Sequence, residues 1–286
     1  MTATIAGFLR DATSALGEAG IQSPEIDAEL LIGHVLGLSR GEVQARSITG
    51  GMLTDELVER LGKMVERRAA REPLQHITGR AYFRSLELTV GPGVFVPRPE
   101  TEQVAQFAID ALRVVASAAP IGVDLGTGSG AIAFAMATEV PHAVVYAIEK
   151  SPDAYPWTLE NQRLTGADNA TVVLGELADA FPELDGTVDV VISNPPYIPD
   201  DAIPRDLEVR LHDPAIALYG GEDGLDVVHQ VSQTALRLLH RGGTLVLEHG
   251  ELQGDTIAAL LRADGWTAVA THPDLLGRDR ATTALR

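Results

Sequence analysis

Ile121-Gly122-Val123-Asp124-Leu125-Gly126-Thr127-Gly128-Ser129-Gly130 carries a strand and the start of a helix in one continuous stretch. An apolar β-type run ends at Asp124-Leu125. Glycines then occupy alternate positions, ahead of the helix-forming Ala131-Ile132-Ala133-Phe134. Such a turn lets the backbone pass close under a ligand, and the free N–H groups of the helix N-terminus favour an anion. Outward from this point the chain keeps alternating. Strand-like runs recur at Ala143–Glu149, Ala170–Gly175, Val188–Asn194, Thr244–His249, Trp266–His272 and Ala281–Arg286. Helical spacing fills residues 130–138, 152–164, 224–240 and 252–263. The alternation predicts an α/β domain with a mostly parallel, seven-stranded sheet and helices on both faces.

In such sheets ligands sit outside the carboxyl ends of the strands, so the residues just past each strand are the ones to inspect. The first strand ends in Asp124, Gly126, Thr127, Gly128, Ser129 and Gly130. Its third glycine comes one residue earlier than in the usual dinucleotide G-x-G-x-x-G, and no Lys-Ser or Lys-Thr of a P-loop follows. Asp124 is placed either to accept from a cationic amino group or to bond the backbone of its own turn. The second strand ends at Glu149, about twenty residues on, where a carboxylate can bond both hydroxyls of a ribose. After the third come Glu176, able to accept from an adenine amino group, and Leu177, able to cover the ring. The fourth ends in Asn194-Pro195-Pro196-Tyr197. Proline neither donates to a sheet ladder nor continues it, so the strand stops at Asn194 in a stiff turn. That turn offers a primary amide, backbone carbonyls and a flat ring, which suits a planar NH2 group. Four consecutive strand ends facing one crevice are far more specific than any one of them.

Ahead of this domain, residues 1–75 read as a small bundle of four amphipathic helices. Ile5, Phe8, Leu9, Ala12 and Leu16 form the first apolar stripe, and Ile26, Leu30, Leu31 and Val35 the second. Ser39 and Glu42 fit a capping box, and Thr54 caps the fourth helix. Residues 76–97 read as a β-hairpin linker turning at Gly91-Pro92-Gly93. Residues 98–286 form the remaining domain. Its connector carries Arg98 and Glu100, which are either candidate substrate contacts along with Asn194–Tyr197 or parts of a rigid linker.

The chain has 286 residues, 45% of them hydrophobic and 22% charged, values of a folded protein with a sizeable core. With no cysteine it has no disulfide, thiolate metal site or Cys nucleophile, which suits the cytoplasm. The eight histidines show no metal-ligand spacing, and no metal is expected. No apolar run approaches the roughly 18 residues of a membrane span. Lys+Arg 22 against Asp+Glu 40 gives a net charge of −18, which disfavours a naked nucleic acid as substrate. A local basic stripe, Arg60, Lys63, Arg67 and Arg71, makes the bundle a candidate docking surface or simply a solvated helix face.

The set Asp124-x-Gly126-x-Gly128-x-Gly130 with Glu149 resembles the cofactor site of class I S-adenosylmethionine-dependent methyltransferases, and Asn194-Pro195-Pro196-Tyr197 resembles those that methylate planar nitrogens. With the bundle, Val96-Pro97-Arg98-Pro99-Glu100-Thr101, Leu247-Glu248-His249-Gly250 and Asp279-Arg280, the whole chain is similar to the peptide chain release factor glutamine methyltransferases (PrmC/HemK family). The resemblance implies a Rossmann-like fold. It implies S-adenosylmethionine held by Gly126–Gly130, Glu149, Leu177 and Asn194, with Asp124 and Glu176 in the same set. It implies a substrate glutamine gripped at Asn194–Tyr197, in the Gly-Gly-Gln loop of class 1 release factors. A monomer with no direct nucleic-acid contact is expected. Two positions depart from the family pattern: Glu176 stands where Asp is more usual, and Pro156 is a second proline in the segment after Glu149.

Three rival readings fit less well. An adenine-N6 DNA methyltransferase would need a basic cleft and a target-recognition region. A non-catalytic S-adenosylmethionine-binding module has no use for amide acceptors at the fourth strand. A nicotinamide-dependent dehydrogenase has the wrong glycine spacing and lacks a hydride-transfer dyad.

Overall fold

Two compact units form in the computed structural model, which describes residues 3–286. Met1 and Thr2, the start of the 1–75 range expected for the bundle, lie outside the described residues. The first unit runs to Gly79 and takes in Arg205–His212; the second comprises Arg80–Pro204 and Asp213–Arg286. The division therefore falls at Gly79 rather than at 75, and a segment from beyond Asn194-Pro195-Pro196-Tyr197 rejoins the bundle.

In the first unit, β1 (Ala3–Thr4) pairs antiparallel with β2 (Met52–Leu53). Five helices surround one core: α1 (Ile5–Glu18), α2 (Pro24–Leu36), α3 (Arg40–Ile48), α4 (Asp55–Ala69) and the short α5 (Leu74–Thr78). Side chains hold the helix starts. The Thr4 and Thr54 hydroxyls accept from the Gly7 and Leu57 amides, and Ser39 with Glu42 closes a reciprocal capping box. Ser23 stands at the α2 N-cap but makes no side-chain cap bond. Pro73 opens α5. Helix α2 is also rotated from its expected face: Leu31 and Ile32 are fully buried, whereas Ile26 and Leu30 are exposed. Its buried carboxylates explain this. Asp27 takes Arg68 at 2.6 Å, and Glu29 takes Gln44 at 2.8 Å and also Arg40. Arg68 reaches on to Glu208 at 2.9 Å, which ties the short helix Leu207–His212 into this unit.

The second unit opens with a hairpin, β3 (Arg80–Phe83) and β4 (Leu86–Thr89), whose turn is Arg84-Ser85 and not Gly91-Pro92-Gly93. The reason is parity. Ala81 and Phe83 point inward on one strand and Leu86 and Leu88 on the other, while Tyr82 faces solvent, so the apolar register breaks between 83 and 86. Arg84 adopts φ 53° there. Then come α6 (Pro99–Val114), β5 (Ile121–Leu125), α7 (Ala131–Glu139), β6 (Val144–Glu149), α8 (Tyr155–Thr165), β7 (Ala170–Leu174) and β8 (Val188–Ser193). The Leu207–His212 helix is α9 in chain order. It is followed by α10 (Asp226–Leu238), β9 (Leu239–Glu248), α11 (Gly254–Ala263), β10 (Thr267–Pro273) and β11 (Asp279–Leu285).

Seven strands form one sheet in the order β10-β11-β9-β8-β5-β6-β7, parallel except for β11, which runs antiparallel to both its neighbours. Alternate residues feed different cores. Val190 and Ile192 pack with α6 and α7, and Val191 with Leu125, Leu245 and α10 on the other side. The chain leaves β5 for β6 and β7, then returns across β5 to β8 and β9. That reversal between β5 and β8 is where a crevice opens at the strand ends.

Candidate active site

The Gly126–Gly130 turn leaves β5 in left-handed backbone: φ is 80° at Gly126, 57° at Gly128 and 84° at Gly130. A Cβ on Gly126 or Gly128 would meet open space, whereas one on Gly130 would sit 2.0 Å from the Phe134 ring. The first two glycines therefore keep the turn bare toward the crevice, and the third lets α7 start tightly against it. Glu149 braces this turn from β6. One carboxylate oxygen accepts from the Gly128 amide at 2.7 Å and the other from the Ser151 amide at 2.7 Å, and each oxygen keeps lone-pair capacity for a further donor.

Asn194-Pro195-Pro196-Tyr197 leaves the neighbouring β8. Ser193 at its head is fully buried and its hydroxyl donates to the Leu125 carbonyl at 2.6 Å, fixing the two strand ends together. Downstream, the 218–224 loop props the motif from behind. Ile198 donates to the Leu218 carbonyl at 2.9 Å, Gly220 donates to Ile198 at 2.9 Å, and the Gln253 amide donates to the Tyr197 carbonyl at 2.9 Å. A Cβ on Gly220 would stand 2.5 Å from the Pro196 carbonyl oxygen, and one on Gly224 2.3 Å from that of Tyr197. Among the described residues no hydrogen bond reaches the Pro195 carbonyl.

These elements enclose a cavity of about 300 Å³. Gly126, Thr127, Gly128, Ser129, Glu149, Glu176 and Leu177 line one part, and Asn194, Pro195, Pro196 and Tyr197 another, with Phe95, Pro97 and Thr101 as further wall. Glu176 pairs with Lys150 at 3.1 Å, both side chains half exposed at the rim. The sequence pointed to neither Lys150 nor the Ile216–Tyr219 stretch, which also lines the cavity.

Four expected site residues lie outside the lining. Asp124 is fully buried behind the turn, where one oxygen accepts from the Thr127 hydroxyl at 2.6 Å and the Ala133 amide at 3.2 Å, so it bonds its own turn and offers nothing to the crevice directly. Burial pushes its pKa up to about 7. Gly130 shapes α7, as above. Arg98 is committed to Asp213 at 2.5 Å and lies 4.8 Å over the Phe95 ring, which removes it as a free cation for substrate. Glu100 sits in the first turn of α6, where its charge acts on Tyr197 and Glu248.

The Tyr197 hydroxyl is pushed up to about 12 by burial, with the Glu248 charge adding to it, so it stays neutral. His249, read as structural, is fully buried and bonds the Gly250 carbonyl and the Thr282 hydroxyl, both at 2.9 Å. Burial holds its pKa below the ordinary value.

Comparison with known proteins gives two family matches: a PrmC N-terminal domain over residues 8–79 and a methyltransferase domain over residues 121–270. The chain is 49% identical to the release factor glutamine methyltransferase of Streptomyces coelicolor, over 96% of this chain and 95% of that one. It is 40% identical to the 4-amino-L-phenylalanine/4-methylamino-L-phenylalanine methyltransferase of Streptomyces pristinaespiralis, over 99% of this chain and 95% of that one. Among solved structures, the hMettl16 catalytic domain, in complex with MAT2A 3'UTR hairpin 6, superposes with a TM-score of 0.55 at 14% identity, over 83% of this chain and 85% of that one. At that identity the likeness concerns the fold alone.

Proposed function

The chain belongs to the release factor glutamine methyltransferase family, a class I methyltransferase fold behind a PrmC N-terminal domain, and from that premise we propose its substrate and its chemistry. It transfers a methyl group from S-adenosylmethionine to the side-chain nitrogen of the glutamine in the Gly-Gly-Gln motif of class 1 peptide chain release factors. The observation that carries this reading is the joint exposure, in one cavity, of the bare glycine turn and of Asn194-Pro195-Pro196-Tyr197.

The residues present fit S-adenosylmethionine: open-faced Gly126 and Gly128, spare acceptor capacity on Glu149, and Leu177 as apolar wall. Gly126–Ser129, Glu149, Glu176, Leu177 and Asn194 would hold it. When bound, it supplies a methyl group made electrophilic by its sulfonium. An amide nitrogen is a poor nucleophile because its lone pair is delocalised into the carbonyl, so the protein must aim that lone pair. The Asn194 Oδ1 and the Pro195 carbonyl each accept one N–H of the substrate amide, and these acceptors stabilise the positive charge that builds on nitrogen. Tyr197 packs against the amide plane, and Pro196 stiffens the turn. The methylated amide is acidic enough to lose its proton to water, so no side chain here has to act as a strong base.

For the bundle we propose release-factor docking. Its basic stripe is largely spent internally: Lys63 pairs with Glu59, Arg67 with Glu72 and Arg71 with Glu208. Arg60 is the stripe residue whose reversal disturbs no ion pair recorded within the unit. The cytoplasm, where release factors act, is the compartment this reading implies. No helix among the described residues is long and apolar enough to cross a membrane.

The relative that takes an aryl amine makes the acceptor the point to test. Labelled S-adenosylmethionine offered with intact release factor, with its Gly-Gly-Ala variant and with free 4-amino-L-phenylalanine should label only the first. Labelling of the Gly-Gly-Ala variant or of the free amine would remove the glutamine assignment.

A further inference from the structure

Glu248 ends β9 beside the motif. The parallel register pairs Ile192 with Val246 and Ser193 with Leu247, so the next step along both strands sets Asn194 beside Glu248. Glu248 is 1% exposed; the Asn194 side chain and, from α6, the Thr101 hydroxyl come near enough to act on its ionisation, although Thr101 Oγ1 is itself buried with no hydrogen bond. Glu248 Oε2 is buried with no hydrogen bond. Burying a carboxylate this deeply is costly.

A terminal asparagine amide has two ends, and only one serves an acceptor role. A carboxylate takes hydrogen bonds and gives none, so against Glu248 the Asn194 amide must present Nδ2. We propose that Glu248 is a positioning residue for methyl transfer: its carboxylate takes the Nδ2–H of Asn194 and so turns Oδ1 into the cleft, where it accepts from the substrate nitrogen. The anion behind the amide also polarises it, which strengthens Oδ1 as an acceptor while positive charge develops ahead of it. This inference rests on the reading of Asn194 as an acceptor for a planar nitrogen.

The device depends on ionisation. Burial pushes the Glu248 pKa up to about 7, against the lowering effect of Thr101, Arg280 and Asn194, and Glu100 adds to the rise. The charged and titratable groups facing it are Arg280 from β11, Glu100 from α6 and Tyr197 beyond β8; Tyr197 stays neutral in this range. Once protonated, Glu248 becomes a donor that Oδ1 itself can satisfy, and the amide is then free to turn the wrong way.

The test is the single-turnover methylation rate at saturating S-adenosylmethionine, measured from about pH 6 to about pH 9. The wild-type rate should rise through one ionisation near 7 and level off. Glu248→Gln should be lower on the plateau by about tenfold or more and flat with pH. Its S-adenosylmethionine affinity should stay within about twofold and its unfolding midpoint should be no lower, since it removes a buried charge. Glu248→Asp, which keeps the carboxylate, should recover part of the rate and the acid limb. A Glu248→Gln enzyme that keeps the wild-type plateau and limb would overturn the proposal, as would a rate loss matched by an equal loss of S-adenosylmethionine affinity. The acceptor that the wild type methylates is scored separately. If it is a planar nitrogen other than glutamine, the substrate assignment fails, while the variant-to-wild-type comparison on that acceptor still decides the role of Glu248.

Discussion

In the proposed mechanism the chemistry turns on Asn194, and its replacement is the sharpest test at this scale. Asn194→Ala deletes one of two acceptors that aim the nucleophile. Its single-turnover rate should drop on the order of 10²-fold or more with the fold intact by circular dichroism, and an unchanged rate would sink the mechanism. Asp124 makes a different prediction. Unfolded, an aspartate ionises near about 4; folded, Asp124 ionises near about 7. The folded state binds the extra proton between those values, so the stability it brings is complete below about pH 4 and is lost as the pH climbs through about 7. Asp124→Asn is neutral throughout. Its stability relative to wild type should therefore rise from acid to neutral pH, by up to about 3 kcal/mol, in paired denaturant melts; parallel pH curves for the two proteins would contradict this. The glycines, Glu149 and the Asn-Pro-Pro-Tyr motif were legible because their chemistry is tied to strand ends. Asp124 was not settled, because whether a carboxylate faces a crevice or its own turn depends on packing behind it.

At the scale of elements, period-two and period-3.6 patterns located every strand of the large sheet, helped by β6, β7, β8, β9 and β11 feeding two cores with alternate residues. They misplaced the first hairpin because Gly91-Pro92-Gly93 is a stronger turn signal than Arg84-Ser85. Burial of Phe83 and Leu86 on the same side shows the true bend. The face of α2 was misjudged for a related reason: paired buried carboxylates look like solvent-facing residues in sequence. The 218–224 loop left no readable trace either, because its work lies in what glycine lacks. Gly224 has φ 78° and its Cβ would press on the Tyr197 carbonyl. Gly224→Ala should shift the motif and cut the methylation rate by about tenfold or more while leaving the S-adenosylmethionine affinity nearly unchanged. A wild-type rate would show that the loop does not hold the motif in place.

For the whole molecule, a net charge of −18 sets the kind of partner this surface tolerates, and the internal pairing of Lys63, Arg67 and Arg71 leaves little cationic surface on the bundle. Docking through the remaining stripe predicts that Arg60→Glu raises KM for intact release factor by about threefold or more, leaving kcat and the rate on a short Gly-Gly-Gln peptide alone. An unchanged KM would take the stripe out of the interface. The central claim concerns where the methyl group goes. Peptide mapping by mass spectrometry of a class 1 release factor incubated with the enzyme and labelled S-adenosylmethionine should place one methyl group on the side-chain nitrogen of the Gly-Gly-Gln glutamine; label on any other residue, or none on the release factor, would contradict the account.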